Sequence, residues 1–388
     1  MSFIQDPETN EIVKYLNEST GEPAAHGTGS PKTRIVGDDA PLAHWLRRMI
    51  TTGASDLHIT AHASPRFRVD GAISTAAEEP LESEEIRSLL HAWWDEIEEG
   101  FQARGSHDTA LRFDRRRFRV NVHRERGATA IAIRSLPVTI PSLESLNLPK
   151  GLASLVEPMR GLVLVCGATG TGKTSTLAAL TGHMNRTQNR KIITIEDPVE
   201  YEHVSAQCLI EHIEIGRDSP SFTDALRASL RQDPDVIMIG ELRDLDTIST
   251  ALTAAETGHL IFATLHTGDA AQALSRLIDV FPAERQPQIR QQIAVSLNAI
   301  LAQQLVPRAD GAGRLPVTEL LIANIAVRNH IRHGKLEQLA SEITLGKRLG
   351  MISLEDSLAL WVRKDVISRE EAEIRSRRPE ELRSLLNT

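Results

Sequence analysis

Cysteine is nearly missing from this chain: among 388 residues only Cys166 and Cys208 are cysteines. They form no C-x-x-C pair, so neither a disulfide scaffold nor a cysteine-ligated zinc site is expected. No apolar run approaches the ~20 residues that a membrane-crossing helix needs. The start, MSFIQDPETNE, lacks a basic segment followed by an apolar stretch, so no secretory signal is expected either. An excess of basic charge is also absent. The 44 Lys and Arg stand against 52 Asp and Glu, a net of −8, which argues against a protein coated in nucleic acid without excluding a local basic patch. These absences point to the cytoplasm, with membrane association only through a partner.

The length suits two domains. Residues 1–37 read as a flexible extension, because 17–34 are rich in Gly, Pro, Ser and Thr with little to bury. A small α+β domain is expected over 38–137. It opens with an amphipathic helix carrying Leu42, Trp45, Leu46, Met49 and Ile50. Strands are predicted at Asp56–Ile59, Arg66–Val69 and Ala72–Ser74, the last two joined by an Asp70-Gly71 hairpin turn. A helical stretch at Ile86–Ile97 and strands at Phe118–His123 and Thr129–Ile133 complete it. Pro137, Pro141 and Pro149 punctuate a linker over 138–151. From 152 to 388 the chain reads as α/β, with buried strands at Leu162–Cys166, Lys191–Ile195, Val236–Ile239 and Leu260–Leu265 in a mainly parallel sheet. After about Leu297 the pattern is mostly helical, including Ile325–His333 and Ser353–Arg363.

Gly167-Ala168-Thr169-Gly170-Thr171-Gly172-Lys173-Thr174 fits G-x-x-x-x-G-K-[ST] at every fixed position, with a strand before it and a helix from Ser175 after it. Glycines allow the backbone to wrap phosphates closely, and the helix N-terminus adds partial positive charge. Lys173 would neutralise the β/γ-phosphates and Thr174 would supply a hydroxyl to Mg²⁺. Ser175 is counted with the loop as nucleotide-binding. No N-K-x-D guanine-recognition motif is found, which favours ATP.

Hydrolysis also requires acidic groups. The run Val236–Ile239 ends in Gly240-Glu241, placing a carboxylate at the carboxyl edge of the sheet, where ligands bind. Many NTPases carry Asp one residue earlier; here that position is Gly240, so the metal-side work falls to Glu241, directly or through water. Lys191–Ile195 ends in Glu196-Asp197-Pro198-Val199-Glu200, whose crowded carboxylates favour a cation nearby. Glu200 is the candidate for orienting or deprotonating water, with Glu196 and Asp197 positioning the loop; an ordinary surface Glu or acidic turn is the alternative. His259 and His266 bracket Leu260–Leu265, and periodicity leaves them equally compatible with structure or function. Arg227 and Arg231 read as a solvated face. Eight arginines between Arg112 and Arg134 suit fingers reaching a neighbour's nucleotide, ahead of an exposed basic edge and, with only Phe113 and Phe118 for stacking, ahead of nucleic acid.

Together these segments resemble the secretion-ATPase superfamily, most closely the type IV pilus retraction motors PilT and PilU. The likeness rests on Gly53-Ala-Ser-Asp-Leu-His58, Arg117-Phe-Arg-Val-Asn121, the phosphate loop, Ile195-Glu-Asp-Pro-Val-Glu200, Leu230 through Glu241, and Ala254 through His266. The resemblance implies a PAS-like N-terminal domain, a RecA-like ATPase domain and a hexameric ring on the cytoplasmic side of an inner-membrane platform protein. It puts Glu200 at the catalytic glutamate, Glu241 at the metal-side glutamate, and His259 and His266 at the histidine box. Arg117, Arg124 and Arg134 become the arginines that could approach a nucleotide. The four-cysteine zinc module usual in extension ATPases is absent, and Ala326-Val-Arg328 resembles the Ala-Ile-Arg motif tied to retraction. Pilus retraction by ATP hydrolysis is therefore the expectation. An accessory retraction, secretion or conjugation ATPase is the alternative within the class. A nucleic-acid translocase or a nucleotide-gated scaffold is the alternative outside it.

Overall fold

The computed structural model describes residues 34–69, 71–311 and 313–387. Most of the stretch read as an extension, and Asp70 of the predicted turn, lie outside them.

The first sheet contains β1 (Arg34–Ile35), β2 (Asp56–Thr60), β3 (Arg66–Val69), β4 (Ala72–Thr75), β5 (Ser106–Phe113), β6 (Arg116–Glu125) and β7 (Ala128–Ser135). Their order is β1-β5-β6-β7-β2-β3-β4, antiparallel except where β1 lies parallel to β5. Along β6 the side chains alternate, so Phe118, Val120 and Val122 are buried while Arg119, Asn121 and His123 are partly exposed. Helix Ala43–Thr52 covers this core with Trp45, Leu46 and Met49. It stops at Gly53, whose φ of 67° suits a left-handed C-cap. Three readings need correction here. Arg34 and Ile35, assigned to the extension, pair with Leu111 and Arg112. Strand β5 lies where no strand was predicted. The single helical stretch at 86–97 is broken into helix Ser83–Ser88, a 3₁₀ turn at His91–Trp93 and helix Trp94–Arg104.

Residues 136–149 form neither helix nor strand, but Leu143 and Leu148 from this linker are buried in the second core. The second sheet contains β8 (Gly161–Cys166), β9 (Lys191–Glu196), β10 (Leu209–Glu214), β11 (Val236–Ile239), β12 (Leu260–Leu265), β13 (Leu297–Pro307) and β14 (Arg314–Ile322). The order is β10-β9-β11-β12-β8-β13-β14, parallel throughout except between β13 and β14. Both faces are covered, which is why β8, β9, β11 and β12 read as continuous apolar runs. Leu162, Leu164 and Cys166 face one set of helices, and Val163 and Val165 face helix Lys173–Thr187 on the other side. A further core packs Val306, Leu315 and Val317 against Leu354, Leu358 and Leu382 of the C-terminal helices.

The mostly helical reading from Leu297 is thus wrong for 297–322 and holds beyond it. Leu, Ala and Gln dominate the run Leu297–Val306, and all three favour helices. The open edge of β8 overrides that preference by pairing Ile300 with Leu164 and Leu301 with Val165.

Candidate nucleotide-binding site

Because β8, β9, β11 and β12 are parallel, their carboxyl ends share one edge of the sheet. From these ends come the phosphate loop, Glu196–Glu200, Gly240-Glu241 and His266. The loop turns through positive φ at Gly167, Gly170 and Gly172 (152°, 78° and 87°). A Cβ on Gly167 would sit 2.6 Å from the Gln303 carbonyl oxygen, so the close crossing of β13 beneath the loop itself demands glycine. Helix Lys173–Thr187 starts directly at Gly172.

Lys173 is buried and folds back on its own loop. Its ammonium donates to the Gly167 carbonyl at 2.9 Å and to the Ala168 carbonyl at 3.0 Å. Burial lowers its pKa, and the Glu241 and Glu200 charges counteract that. The Thr171 hydroxyl donates to the Ala168 carbonyl at 2.9 Å. Thr174 and Ser175 stand partly exposed on the first helical turn, and Ser175 Oγ lies 2.9 Å from Tyr201 Oη.

Glu241 is mostly buried, ion-paired with Arg243, and its Oε2 lies 3.4 Å from His266 Nε2. Burial, followed by the Lys173 charge, lowers the His266 pKa despite Glu241. Glu200 is half-buried, and its backbone N–H donates to Glu196 Oε2 at 3.3 Å. Burial pushes the Glu196 carboxyl up to about 7, and its Oε1 has no hydrogen-bond partner. Asp197 is exposed.

The other sequence candidates fall elsewhere. His259 precedes β12, and its carbonyl accepts from Gly161 N–H at the amino end of β8. The six residues of β12 separate it from His266, roughly 20 Å at strand rise. Its Nδ1 lies 3.2 Å from the Ala254 carbonyl, so within one chain it braces a turn at the opposite edge of the sheet. Arg117 is buried and donates to the Val199 carbonyl at 2.7 Å and to Glu214 Oε2 at 3.2 Å. Arg124 bonds Gln102 and lies 5.0 Å over the Phe101 ring. Arg134 holds Asp56 at 2.7 Å. Among the described contacts, none of these three guanidiniums touches its own phosphate loop. Arg227 and Arg231 are exposed.

Gln303, on β13, escaped sequence reasoning. It is buried at 2% exposure, donates to the Thr171 carbonyl at 2.6 Å, and accepts from the Thr176 hydroxyl at 2.9 Å. A polar residue in the apolar run Leu297–Val306 was the available signal; the helical reading of that run hid which way it faces.

A glycine loop between a parallel strand and a helix, with carboxylates brought in from adjacent strand ends, defines a P-loop nucleotide-binding domain. Residues 38–347 match the family described as type II/IV secretion system protein. Over 331 residues the chain is 42% identical to the type IV pilus retraction ATPase PilT of Pseudomonas aeruginosa, covering 84% of this chain and 96% of that one. Over 266 residues it is 45% identical to a twitching motility protein of Neisseria gonorrhoeae, covering 69% and 71%. The crystal structure of the pilus retraction motor PilT with bound ADP superposes with a TM-score of 0.81 at 39% identity, covering 88% of this chain and 98% of that one. The chain belongs to the type II/IV secretion system protein family, in the branch that holds the PilT retraction ATPases.

Proposed function

We propose that this chain is an ATP-hydrolysing motor that powers type IV pilus retraction and, through it, twitching motility. The observation that carries the reading is Lys173, held at the mouth of its glycine loop by two loop carbonyls, with Glu241 and Glu200 in its electrostatic field. A triphosphate would replace those carbonyls with better-matched anionic oxygens, while loop amides and the helix N-terminus take the remaining charge.

Glu200, from the loop after β9, is the group we assign to orienting and deprotonating the attacking water. Its backbone is anchored by Glu196, so the carboxylate arises from a fixed turn. Thr174 and Glu241 would hold Mg²⁺. Both offer hard oxygen donors, and Mg²⁺ characteristically takes few protein ligands and completes its shell with phosphates and water. Among the described residues no group of three or more His, Cys, Asp or Glu could hold a metal on its own, which fits a cation arriving with the nucleotide. Bound there, it would neutralise charge on the β- and γ-phosphate oxygens. His266, beside Glu241, positions that carboxylate.

No described helix is long and apolar enough to cross a membrane. We place the protein in the cytoplasm as a homo-oligomeric ring, hexameric by family resemblance, bound at the inner membrane through a platform protein and related ATPases. Arg124 and Arg134 remain candidates for reaching a neighbour's nucleotide.

The test pairs two variants of the purified protein. Lys173→Ala should lose ATP turnover. Glu200→Gln should keep ATP binding and lose turnover by ~10²–10⁴-fold; equal loss of binding would make Glu200 structural. In cells, deletion should leave pili that extend but do not retract. Normal surface motility after deletion would remove the retraction role while leaving the ATPase.

A further inference from the structure

We infer that Gln303 is a positioning residue for the phosphate loop, setting the direction of the Thr171–Gly172 peptide so that its N–H faces the phosphates. The inference rests on the proposed nucleotide site and adds a residue to it that no sequence motif contains.

The geometry begins with a carbonyl. Thr171 C=O accepts a hydrogen bond from Gln303 Nε2 at 2.6 Å. A carbonyl can only accept, so it dictates which end of the Gln303 amide faces it. The other end, Oε1, is occupied by the Thr176 hydroxyl at 2.9 Å, which removes any reason for the amide to flip. Gln303, 2% exposed, and Thr176, 1% exposed, are both screened from water. The side chain is therefore a fixed strut between the first turn of helix Lys173–Thr187 and the loop before it.

A trans peptide is planar, with its C=O and the following N–H antiparallel. Holding the Thr171 carbonyl down onto β13 therefore aims the Gly172 N–H the opposite way, into the concave side of the loop. Gly172, at φ 87°, is free of the Cβ that would resist this turn. The backbone of the same residue supports the other end of the loop, since the Gln303 carbonyl oxygen lies within 2.6 Å of where a Gly167 side chain would start. One residue of β13 thus braces the loop at Gly167 and at Thr171. A loop whose amide is already aimed does not spend binding energy ordering it.

The test is titration of the full-length protein with a fluorescent ADP analogue. Gln303→Glu keeps size and the bond from Thr176 but replaces the donor facing Thr171 with a carboxylate oxygen. Binding should weaken about tenfold at pH 8, the cost of one buried carbonyl left unsatisfied. As the pH is lowered, the introduced carboxyl takes up a proton and can donate again, so the deficit relative to wild type should shrink. Thr176→Val leaves the Gln303 amide unanchored and should cost about threefold. Combined with Gln303→Glu, it should cost less than the product of the two. Thr176→Val also serves if Gln303→Glu does not fold.

Wild-type protein that takes up no nucleotide would overturn both this inference and the reading it rests on. Wild-type binding with Gln303→Glu affinity unchanged within about twofold would overturn this inference alone, since an orphaned buried acceptor should cost at least about fivefold. A tenfold loss that stays constant with pH would also overturn it, leaving Gln303 a packing residue.

Discussion

Arg117 on β6 donates to the Val199 carbonyl across 2.7 Å, so a guanidinium of the first sheet fastens the residue next to Glu200. The contact is one side of a triangle. Glu214 Oε2 accepts from Arg117 at 3.2 Å and from Val199 N–H at 3.1 Å. Glu202 lies 3.4 Å from Arg117 Nε. The acidic turn after β9 is thereby held from both sheets, with the Arg117 guanidinium inside the clamp.

Arg117→Met should strand the buried Glu214 carboxylate, at a cost on the order of 3–5 kcal/mol. Thermal denaturation should show a clear fall in Tm, and Arg117→Met combined with Glu214→Gln should recover part of it. A finger reaching only a neighbour's nucleotide would behave differently, with Tm unchanged and turnover lost. That outcome would contradict the clamp.

Glu196 supplies a pH signature. Burial pushes its carboxyl up to about 7 in the folded chain from the ordinary glutamate value of 4.5. Between those values the unfolded chain has released a proton that the folded chain retains, so stability falls as pH rises through the window and levels off above it. At pH 8 the penalty is on the order of 3 kcal/mol. Glu196→Gln should therefore raise the denaturation midpoint relative to wild type at pH 8, with the gap narrowing towards pH 5. A gap independent of pH would mean that Glu196 stays charged in the folded protein.

Much of this arrangement was legible beforehand, because the phosphate loop and the carboxylates at strand ends are local patterns in sequence. Strands β8, β9, β11 and β12 announced themselves as apolar runs for the physical reason that both their faces are buried. What stayed hidden depended on contacts between distant segments. Nothing in the arginine cluster distinguishes Arg117 from Arg119; the acidic turn of the second sheet covers one and leaves the other partly exposed. β13 was concealed by good helix formers that pair with β8 because its edge is open. His259 lies seven residues before His266, but the strand between them carries it to the far edge of the sheet.

The two histidines should therefore separate experimentally. His266→Ala removes the imidazole beside Glu241 and should lower ATP turnover more than tenfold, within the range for groups that assist proton transfer or position those that do. His259→Ala, assayed under conditions where the protein stays folded, should leave turnover per folded chain within about threefold. A hundredfold loss from His259→Ala, matching the general-base scale, would require it to act on a site outside its own chain.

Arg377 links the C-terminal helices to the loop after β12. Its guanidinium lies 3.1 Å from Glu319 Oε2 and 3.7 Å from Asp269, and it donates to the Gly268 carbonyl. Glu319 in turn accepts from Ala270 N–H at 3.0 Å. Burial raises the pKa of its carboxyl, an effect that the Ala270 N–H bond and then the Arg377 charge only partly offset. Gly268 follows His266 by two residues, so the C-terminal module is coupled to the segment that presents the imidazole to Glu241. Arg377→Lys keeps the charge but gives up the planar fork that reaches a carboxylate and a carbonyl together. It should preserve most of the stability and still reduce turnover severalfold. Arg377→Ala should also lower Tm, as expected for losing bonds to a charged group worth about 1.5–3 kcal/mol each. Comparing turnover with Tm across the two variants checks the coupling. Turnover falling only in step with folded fraction would mean that the C-terminal helices stabilise the domain without influencing the site.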